Sequence, residues 1–236
     1  MRTVVALGAA CCALLFSATT VFAAPFGPTT YVQASDSPFA ATDFSGGYFY
    51  LEDFEDHALS TPGVAGINGG PTSIVFGPTF HDSVDIDDGV LDGSGLAGDS
   101  WFFSGASTGF TFNAGVLGAL PTHVGVVWTD GPFQTPVTFT AIGADGITTV
   151  CSIGPAAGFA NSSFNGEAAE DRFFGCSDAG GILRIQVTNS LGGGIEVDHL
   201  QYGNARETTP VPEPLTIALL GVGGAFLARR RATLKR

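Results

Sequence analysis

The chain has 236 residues, a formal net charge of −13 and only 13% charged residues. Residues 25–207 hold all but one of its 22 acidic residues but only three of its nine basic residues. A surface with this excess of negative charge repels nucleic acid and anionic lipid headgroups and attracts cations, so we exclude nucleic-acid binding.

Residues 1–23 have the organisation of a secretory signal peptide. Arg2 supplies the positive charge, VVALGAACCALLF is the apolar region, and VFA predicts cleavage by signal peptidase after Ala23. A lipoprotein signal at Cys11 or Cys12 is disfavoured, because the residues before Cys11 lack the usual upstream leucine. The protein is therefore predicted to be exported, and the small, polar residues 24–46 are expected to form a leader arm.

Residues 47–203 are predicted to form one all-β domain. Leu183, Ile185 and Val187 share one face of GILRIQVTN, the period of a half-buried antiparallel strand. About ten such strands with glycine-rich turns predict an antiparallel two-sheet β-sandwich, jelly-roll-like in topology. In chain order the segments are GYFYLEDF, TSIVF, SWFFSG, GFTFN, HVGVVWT, PVTFTAIG, ITTVCSI, RFFGCS, GILRIQVTN and GIEVDHLQYG.

The last of these segments changes the phase of its apolar pattern. Ile195 and Val197 lie on one face, whereas Leu200 lies on the face that also holds Asp198. Either a bulge near His199 resets the phase, or Asp198 points inward beside Leu200. We favour surface exposure of Asp198, because aspartate is seldom fully buried.

An inward Asp198 needs a compensating charge, which calcium can supply with Glu52, Asp53 or Glu55 of the first long strand as further ligands. This arrangement resembles the structural calcium site of jelly-roll carbohydrate-binding modules, where acidic residues of the first and last strands meet. The resemblance implies calcium as a cofactor, bound by Glu52 and Asp198.

The densest acidic segment is HDSVDIDDGVLDGSGLAGD, at residues 81–99. Its glycines allow a tight loop, and carboxylate oxygens are ligands that calcium prefers. It is not an EF-hand, because Gly89 and Leu96 occupy two of the ligand positions. Two alternatives stay open: a solvated acidic loop, or a calcium site formed by Asp82, Asp85, Asp87, Asp88 and Asp92.

Removal of the signal peptide leaves two cysteines, Cys151 and Cys176. An even pair in an exported protein predicts a disulfide, and closing a loop of this size contributes roughly 3 kcal/mol. Two buried free thiols are the alternative.

No catalytic constellation is recognisable, and we do not expect an enzyme. GASTG, around Ser107, matches a nucleophile elbow but is not followed by a helix pattern. The four histidines lack zinc-binding spacing. Paired carboxylates for glycoside hydrolysis stay open, because the acidic residues are so numerous.

The two tryptophans are expected to have different roles. Trp128 shares a strand face with Val124 and Val126 and is predicted to lie in the core. Trp101 lies where a loop meets a strand and is the candidate for contact with a glycan.

Residues 204–211 are predicted to form a linker, and residues 212–236 a sorting signal with a transmembrane helix. The uncharged run at residues 215–228 has a length of about 21 Å as a helix, short of the ~30 Å hydrocarbon core. Its basic end is expected to face the cytoplasm. A permanent single-span anchor is the alternative, and the short run argues against it.

The end of the chain resembles the PEP-CTERM sorting signal of exosortase-processed proteins in Gram-negative bacteria. The residues that carry this resemblance are a triplet before the apolar run and an arginine cluster after it: Pro212, Glu213, Pro214, Arg229, Arg230 and Arg231. The resemblance implies transient insertion in the inner membrane and removal of the helix by exosortase. It also implies delivery to the cell surface or the exopolysaccharide matrix.

The central segments resemble a recurring set in uncharacterised bacterial exported proteins that often carry the same tail. They are FEDH, TPGV, DSVDIDDGVLDGSG, PTHVGVVWTDG, AEDRFFG and EVDHLQYG. We therefore expect an exported acidic β-sandwich with a structural or glycan-interacting role, in contact with exopolysaccharide. The alternatives are a secreted polysaccharide hydrolase or lyase and a calcium-stabilised matrix adhesin.

Overall fold

The computed structural model describes residues 23–76, 82–131, 136–159 and 166–206. These residues form two antiparallel β-sheets with only short helices, which confirms the predicted all-β class. No helix within these ranges is long and apolar enough to cross a membrane. The signal peptide up to residue 22, most of the linker and the whole sorting signal, residues 212–236, lie outside the described residues.

The strands follow one another closely along the chain and divide between the two sheets. They are β1 (Ala24–Thr30), β2 (Tyr48–Glu52), β3 (Val64–Asn68), β4 (Gly70–Pro71), β5 (Trp101–Phe103), β6 (Ser107–Phe112), β7 (His123–Asp130), β8 (Val137–Gly143), β9 (Thr149–Ala156), β10 (Arg172–Ser177), β11 (Ile182–Asn189) and β12 (Ile195–Asn204). The helices are α1 (Thr72–Phe76) and α2 (Ala114–Leu117), with short 3-10 turns at Ala34–Asp36, Asp85–Asp88 and Ala168–Glu170. The first sheet has the order β1-β10-β7-β12-β5-β4, and β2 also pairs with β12. The second sheet has the order β3-β6-β11-β8-β9.

The main core lies between the two sheets. On β7, Val124, Val126 and Trp128 are all buried in this core, as the alternating pattern predicts. Phe139 of β8 and Phe174 of β10 stack with 6.5 Å between their ring centroids. Each large side chain of this kind contributes roughly 1.5–3 kcal/mol by leaving water.

A second core covers the opposite face of the first sheet and includes the start of the domain. Strand β1 pairs with β10, and Tyr31 and Phe39, which follow it, are 0% and 2% exposed. The Phe39 ring meets that of Phe173, on β10, edge to face at 5.3 Å between centroids. The predicted leader arm at residues 24–46 is therefore wrong, because this segment supplies aromatic side chains that the outer face of the sheet needs.

A bulge in β12 resolves the phase change in its sequence. The pairing of β12 with β7 shifts between Asp198 and Gln201, and His199 has a φ of 42°. Leu200 therefore faces the main core with Val197, whereas Asp198 faces the covered outer side. The bulge prediction is confirmed, but the expected exposure of Asp198 is wrong, since the side chain is 0% exposed beneath the second core.

The segment TSIVF forms helix α1, not the predicted strand. Thr72 N donates a hydrogen bond to Ser100 O at 2.8 Å, and Ser73 N donates to Asp99 Oδ1 at 3.0 Å. These partners satisfy N–H groups that the first turn of a helix leaves open, and they outweigh a β-propensity that depends strongly on context.

Strand β11 also departs from the predicted alternation at its start. A register shift between Ile182 and Arg184 turns Leu183 away, so Ile182 enters the main core with Ile185 and Val187. The predicted alternation is correct from Ile185 onward, where the burial pattern has a period of two.

Candidate functional site

The acidic loop, residues 82–99, does not gather its aspartates around one point. Asp85 is buried, and its Oδ1 accepts hydrogen bonds of 2.9 to 3.2 Å from the N–H groups of residues 92–94. Asp88 and Asp92 are exposed, and each accepts a hydrogen bond from an N–H two residues further along. The five-aspartate calcium site, one of the two alternatives that the sequence left open, does not form, because these three carboxylates bind the backbone of their own loop.

Asp87 belongs instead to a buried network beneath the second core. Its Oδ1 lies 2.9 Å from Nε2 of His199, and Nδ1 of His199 lies 2.9 Å from the Tyr31 hydroxyl. Asp198 accepts a hydrogen bond from Val84 N at 2.9 Å. Burial, reinforced by the charge of Asp87, raises the pKa of Asp198 well above its usual range. The network fastens the acidic loop and Tyr31 to β12.

This network has the spacing of a metal site, but its histidine is already engaged. Asp87, Asp198 and His199 offer atoms within 4.8 Å of one another. Both ring nitrogens of His199 already have partners, and a metal ligand nitrogen cannot also take part in a hydrogen bond. We therefore assign the network a structural role.

Glu52 does not form the predicted calcium site with Asp198. Its Oε2 accepts hydrogen bonds from the N–H groups of Ser60 and Thr61, at 2.8 and 2.7 Å, and from the Thr61 hydroxyl. Glu52 lies opposite Leu200, which faces the main core, whereas Asp198 faces the second core. The two carboxylates therefore lie on opposite faces of the first sheet.

The other two predicted partners of Asp198 are also used elsewhere. Asp53 accepts a hydrogen bond from Glu55 N at 3.3 Å, and Glu55 Oε1 accepts one from Asp99 N at 2.6 Å. Burial raises the pKa of Glu55 to about 7. The prediction of calcium between the first and last strands is wrong in all its pairings.

Three buried carboxylates that the sequence did not connect meet at one end of the first sheet. One oxygen from each of Asp82, Asp130 and Glu170 lies within 4.8 Å of the other two, and we call these residues the acid cluster. They are 1%, 7% and 1% exposed. Burial, with the nearby charge of Glu196, raises the pKa of Asp130 to about 8 and that of Asp82 well above its usual range.

The acid cluster depends on strand order. Asp130 ends β7, and Glu170 ends the 3-10 turn that leads into β10, the strand beside β7. Asp82 begins the acidic loop and is anchored by its own N–H, which donates to Glu196 Oε1 at 3.3 Å. The sequence did show that Asp130 follows a buried strand. Its proximity to Asp82 and Glu170 could be found only from the order of the strands in the sheet.

A serine, a histidine and an aspartate meet near the surface beside α1. Nδ1 of His57 lies 2.7 Å from Asp99 Oδ2 and 3.1 Å from Ser73 Oγ, and Ser73 Oγ also donates to Asp99 Oδ2. In a catalytic triad the serine and the aspartate contact different ring nitrogens. Because both groups here share Nδ1 and the hydroxyl donates to the carboxylate, this arrangement caps α1 and does not activate a nucleophile.

Cys151 and Cys176 are buried free thiols, not the predicted disulfide. They do lie together: the Cys176 thiol donates a hydrogen bond to Cys151, and this bond, with burial, raises the pKa of Cys176. The contact joins β9 of the second sheet to β10 of the first. Thiol contact within the core is the alternative that the sequence left open.

Trp101 is not the exposed glycan platform that its loop–strand position predicted. Its side chain is 7% exposed, and Nε1 donates a hydrogen bond to Asn68 O at 2.8 Å. Its ring packs against Phe54 and Phe110 at 5.7 and 5.5 Å between centroids. The residue lies in the core because it is directly opposite Val197 of β12, which faces the main core.

The chain matches no protein-family model, no curated protein and no solved structure. The chemistry of the described side chains therefore carries the functional argument. What these side chains do is join loops to sheets: the buried network holds the acidic loop on β12, and the acid cluster brings that loop to β7 and to the turn before β10.

Proposed function

We propose that this chain is an exported structural protein of the cell surface or the exopolysaccharide matrix. The observation that carries the proposal is the position of its grouped polar side chains. Asp82, Asp198 and His199 are 1%, 0% and 2% exposed, and each lies in a group that connects a loop to the first sheet. A catalytic group must be reachable by its substrate. Buried polar groups of this kind stabilise the fold, as a structural protein requires.

The two ends of the sequence support the route of this protein. The signal peptide at residues 1–23 and the PEP-CTERM-like segment at residues 212–236 flank the domain in the order that exosortase processing requires. We infer that signal peptidase and exosortase remove the ends, with the apolar helix held only transiently in the inner membrane. The negative charge of the domain keeps it from anionic membrane surfaces after release.

The strand order supports a jelly-roll assignment for the sandwich. Strands β2-β12-β7-β10 lie in one sheet and β6-β11-β8-β9 in the other. In chain order these eight strands alternate between the sheets except at the β8–β9 pair, in the manner of two Greek keys. We propose this topology for the domain.

We further propose that the protein contacts glycan, and an aromatic pocket supports this role. A cavity of about 240 Å³ between the segment at residues 34–51 and β12 is walled by Phe44 and Phe49 and has Gln201 at its base. The two rings lie 4.9 Å apart, and Phe49 is 39% exposed. Exposed aromatic rings offer apolar faces on which sugar rings stack.

Mass spectrometry of the protein from its host tests the sorting route. We expect the mature protein to begin at Ala24 and to end near Pro214, in the surface or matrix fraction. In a host without exosortase, we expect material that keeps the sorting helix and stays in the membrane fraction. Native protein that is intact to Arg236 would contradict the route.

A sedimentation assay with exopolysaccharide from the host tests the role. We expect saturable retention of the protein without release of reducing ends, and weaker retention of Phe49→Ala. Val90→Ala, at a residue that is 56% exposed on the acidic loop, is the matched control. Release of reducing ends would instead support the hydrolase or lyase alternative.

A further inference from the structure

We propose that the acid cluster, Asp82, Asp130 and Glu170, binds one calcium ion that fastens the acidic loop to the end of the first sheet. This inference concerns the fold itself and holds wherever the protein is delivered.

The geometry of the acid cluster fits a single ion. The three carboxylates come from separate segments, yet one oxygen of each lies within 4.8 Å of the other two. Calcium binds oxygen at about 2.3–2.6 Å, so ligands on opposite sides of one ion are separated by about 5 Å. One ion can therefore contact all three carboxylates with little movement of the chain.

Asp82 is the residue that most clearly lacks a partner. Its side chain is 1% exposed, and neither carboxylate oxygen accepts a hydrogen bond from a described residue. Buried polar atoms almost always have a partner, and a buried carboxylate with none is strongly unfavourable. The carboxylate is directed at Asp130 and Glu170, so a partner that lets it ionise must be positively charged.

The surroundings add negative charge. Asp130 lies directly opposite Glu196 on the neighbouring strand, and like charges in that position destabilise a sheet. Asp171, next to Glu170, is 0% exposed, and neither of its carboxylate oxygens accepts a hydrogen bond from the described part of the chain.

The nearest basic side chain in the sequence, Arg172, acts on Asp171 by its charge, but its hydrogen bonds do not go to carboxylates. Arg172 Nη1 donates its hydrogen bonds to the carbonyl oxygens of Ala169 and Asp171, at 3.0 and 2.7 Å. Its guanidinium lies over the Phe159 ring, 5.3 Å from the centroid. Asp82 accepts no hydrogen bond from Arg172, so the charge of its ionised carboxylate is left for a bound ion to balance.

The donor set selects calcium among the common ions. Three carboxylates without cysteine or histidine form a hard oxygen site, which disfavours zinc and copper. Magnesium demands a strict octahedron and gives up its water reluctantly, whereas calcium accepts irregular sets of six to eight oxygens. Water and the neighbouring carboxylates can complete such a set.

Equilibrium dialysis with radioactive calcium, after treatment with chelator, tests the site directly. We expect the purified protein to retain about one ion per chain. Asp82→Asn keeps the shape of the side chain and removes its charge, so we expect it to lose retention at least tenfold. Asp88→Asn is the matched control, because this exposed carboxylate of the same loop binds only Val90 N. We expect the control to retain calcium as the wild type does.

Thermal unfolding separates ion binding from a purely structural role. We expect calcium, but not magnesium, to raise the Tm of the wild type above its value in chelator and to leave the Tm of Asp82→Asn unchanged. In chelator we expect Asp82→Asn to melt at or above the wild type, because it replaces a buried carboxyl group that has no hydrogen-bond partner among the described residues. Absence of retained calcium in the wild type overturns the proposal, as does equal retention by Asp82→Asn. An equal effect of magnesium overturns the choice of ion.

Discussion

At the scale of single residues, neighbours set the chemistry more than residue type does. His57 and His123 both lie at the edges of strands or turns, but their pKa values are shifted in opposite directions. A hydrogen bond with Asp99 raises the pKa of His57, whereas burial lowers the pKa of His123. The His57–Asp99 contact also holds the carboxylate that caps α1.

Nuclear magnetic resonance titration of the histidine rings tests this contrast. We expect His57 to titrate above its ordinary value of 6.5 and His123 below it. Because the folded state holds the proton on His57 more tightly than the unfolded state, the contact stabilises the fold below pH 6.5. That stabilisation is lost as the pH rises through the folded-state pKa of His57.

Asp99→Asn is the variant that isolates the cause. It keeps the size of the side chain and removes its charge, so we expect the pKa of His57 to fall while that of His123 stays unchanged. A pKa of His57 that does not respond to Asp99→Asn would contradict the assigned contact.

At the scale of elements, the segments that sequence patterns predict well are those buried between the two sheets. The period of two in β7 placed Val124, Val126 and Trp128 correctly, and the phase change in β12 correctly indicated the bulge at His199. These patterns work because one face of each strand meets the opposite sheet.

The sequence pattern of residues 24–46 did not predict their place in the fold, and the reason is physical. Their aromatic residues are widely spaced among small and polar ones, so they give no periodic signal. They are needed because β12 and β7 are buried on both faces, and a second layer must cover the outer one. Trp101 was misplaced for a related reason, since a three-residue strand is too short to show which face is buried.

Phe39→Ala tests whether this covering segment belongs to the fold. The ring is 2% exposed, so we expect its loss to lower the free energy of unfolding by about 3–5 kcal/mol, measured with urea. Phe49→Ala, which removes a ring that is 39% exposed, serves as the control, and we expect a cost of about 1 kcal/mol or less. Equal costs for the two variants would restore the leader-arm interpretation.

At the scale of the whole molecule, negative charge is distributed between the surface and the interior. The sequence predicted a cation from the acidic composition, but it could not locate the acid cluster, because the three ligands depend on which strands are neighbours. Asp82 was named as a calcium ligand, but with partners that the structure does not place beside it. Asp130 and Glu170 were not named, since a carboxylate at a strand end looks the same whether it is solvated or enclosed.

Salt dependence of the Tm in chelator tests the effect of the overall charge. We expect sodium chloride, raised from about 10 to 500 mM at pH 7, to increase the Tm, because ions screen repulsion among the acidic residues. Near pH 4, where many carboxylates are protonated, we expect a much smaller increase. A Tm that falls with salt at pH 7 would indicate that attractive surface pairs dominate.

The central position of β12 has a consequence for the order in which the molecule is assembled. This strand comes last among the described residues, yet its hydrogen bonds hold β7 on one side and β2 and β5 on the other. A chain that emerges amino end first therefore cannot close its larger sheet until residue 204 is free. The larger sheet therefore closes late in synthesis, and during any passage through a narrow channel it stays open until β12 has emerged.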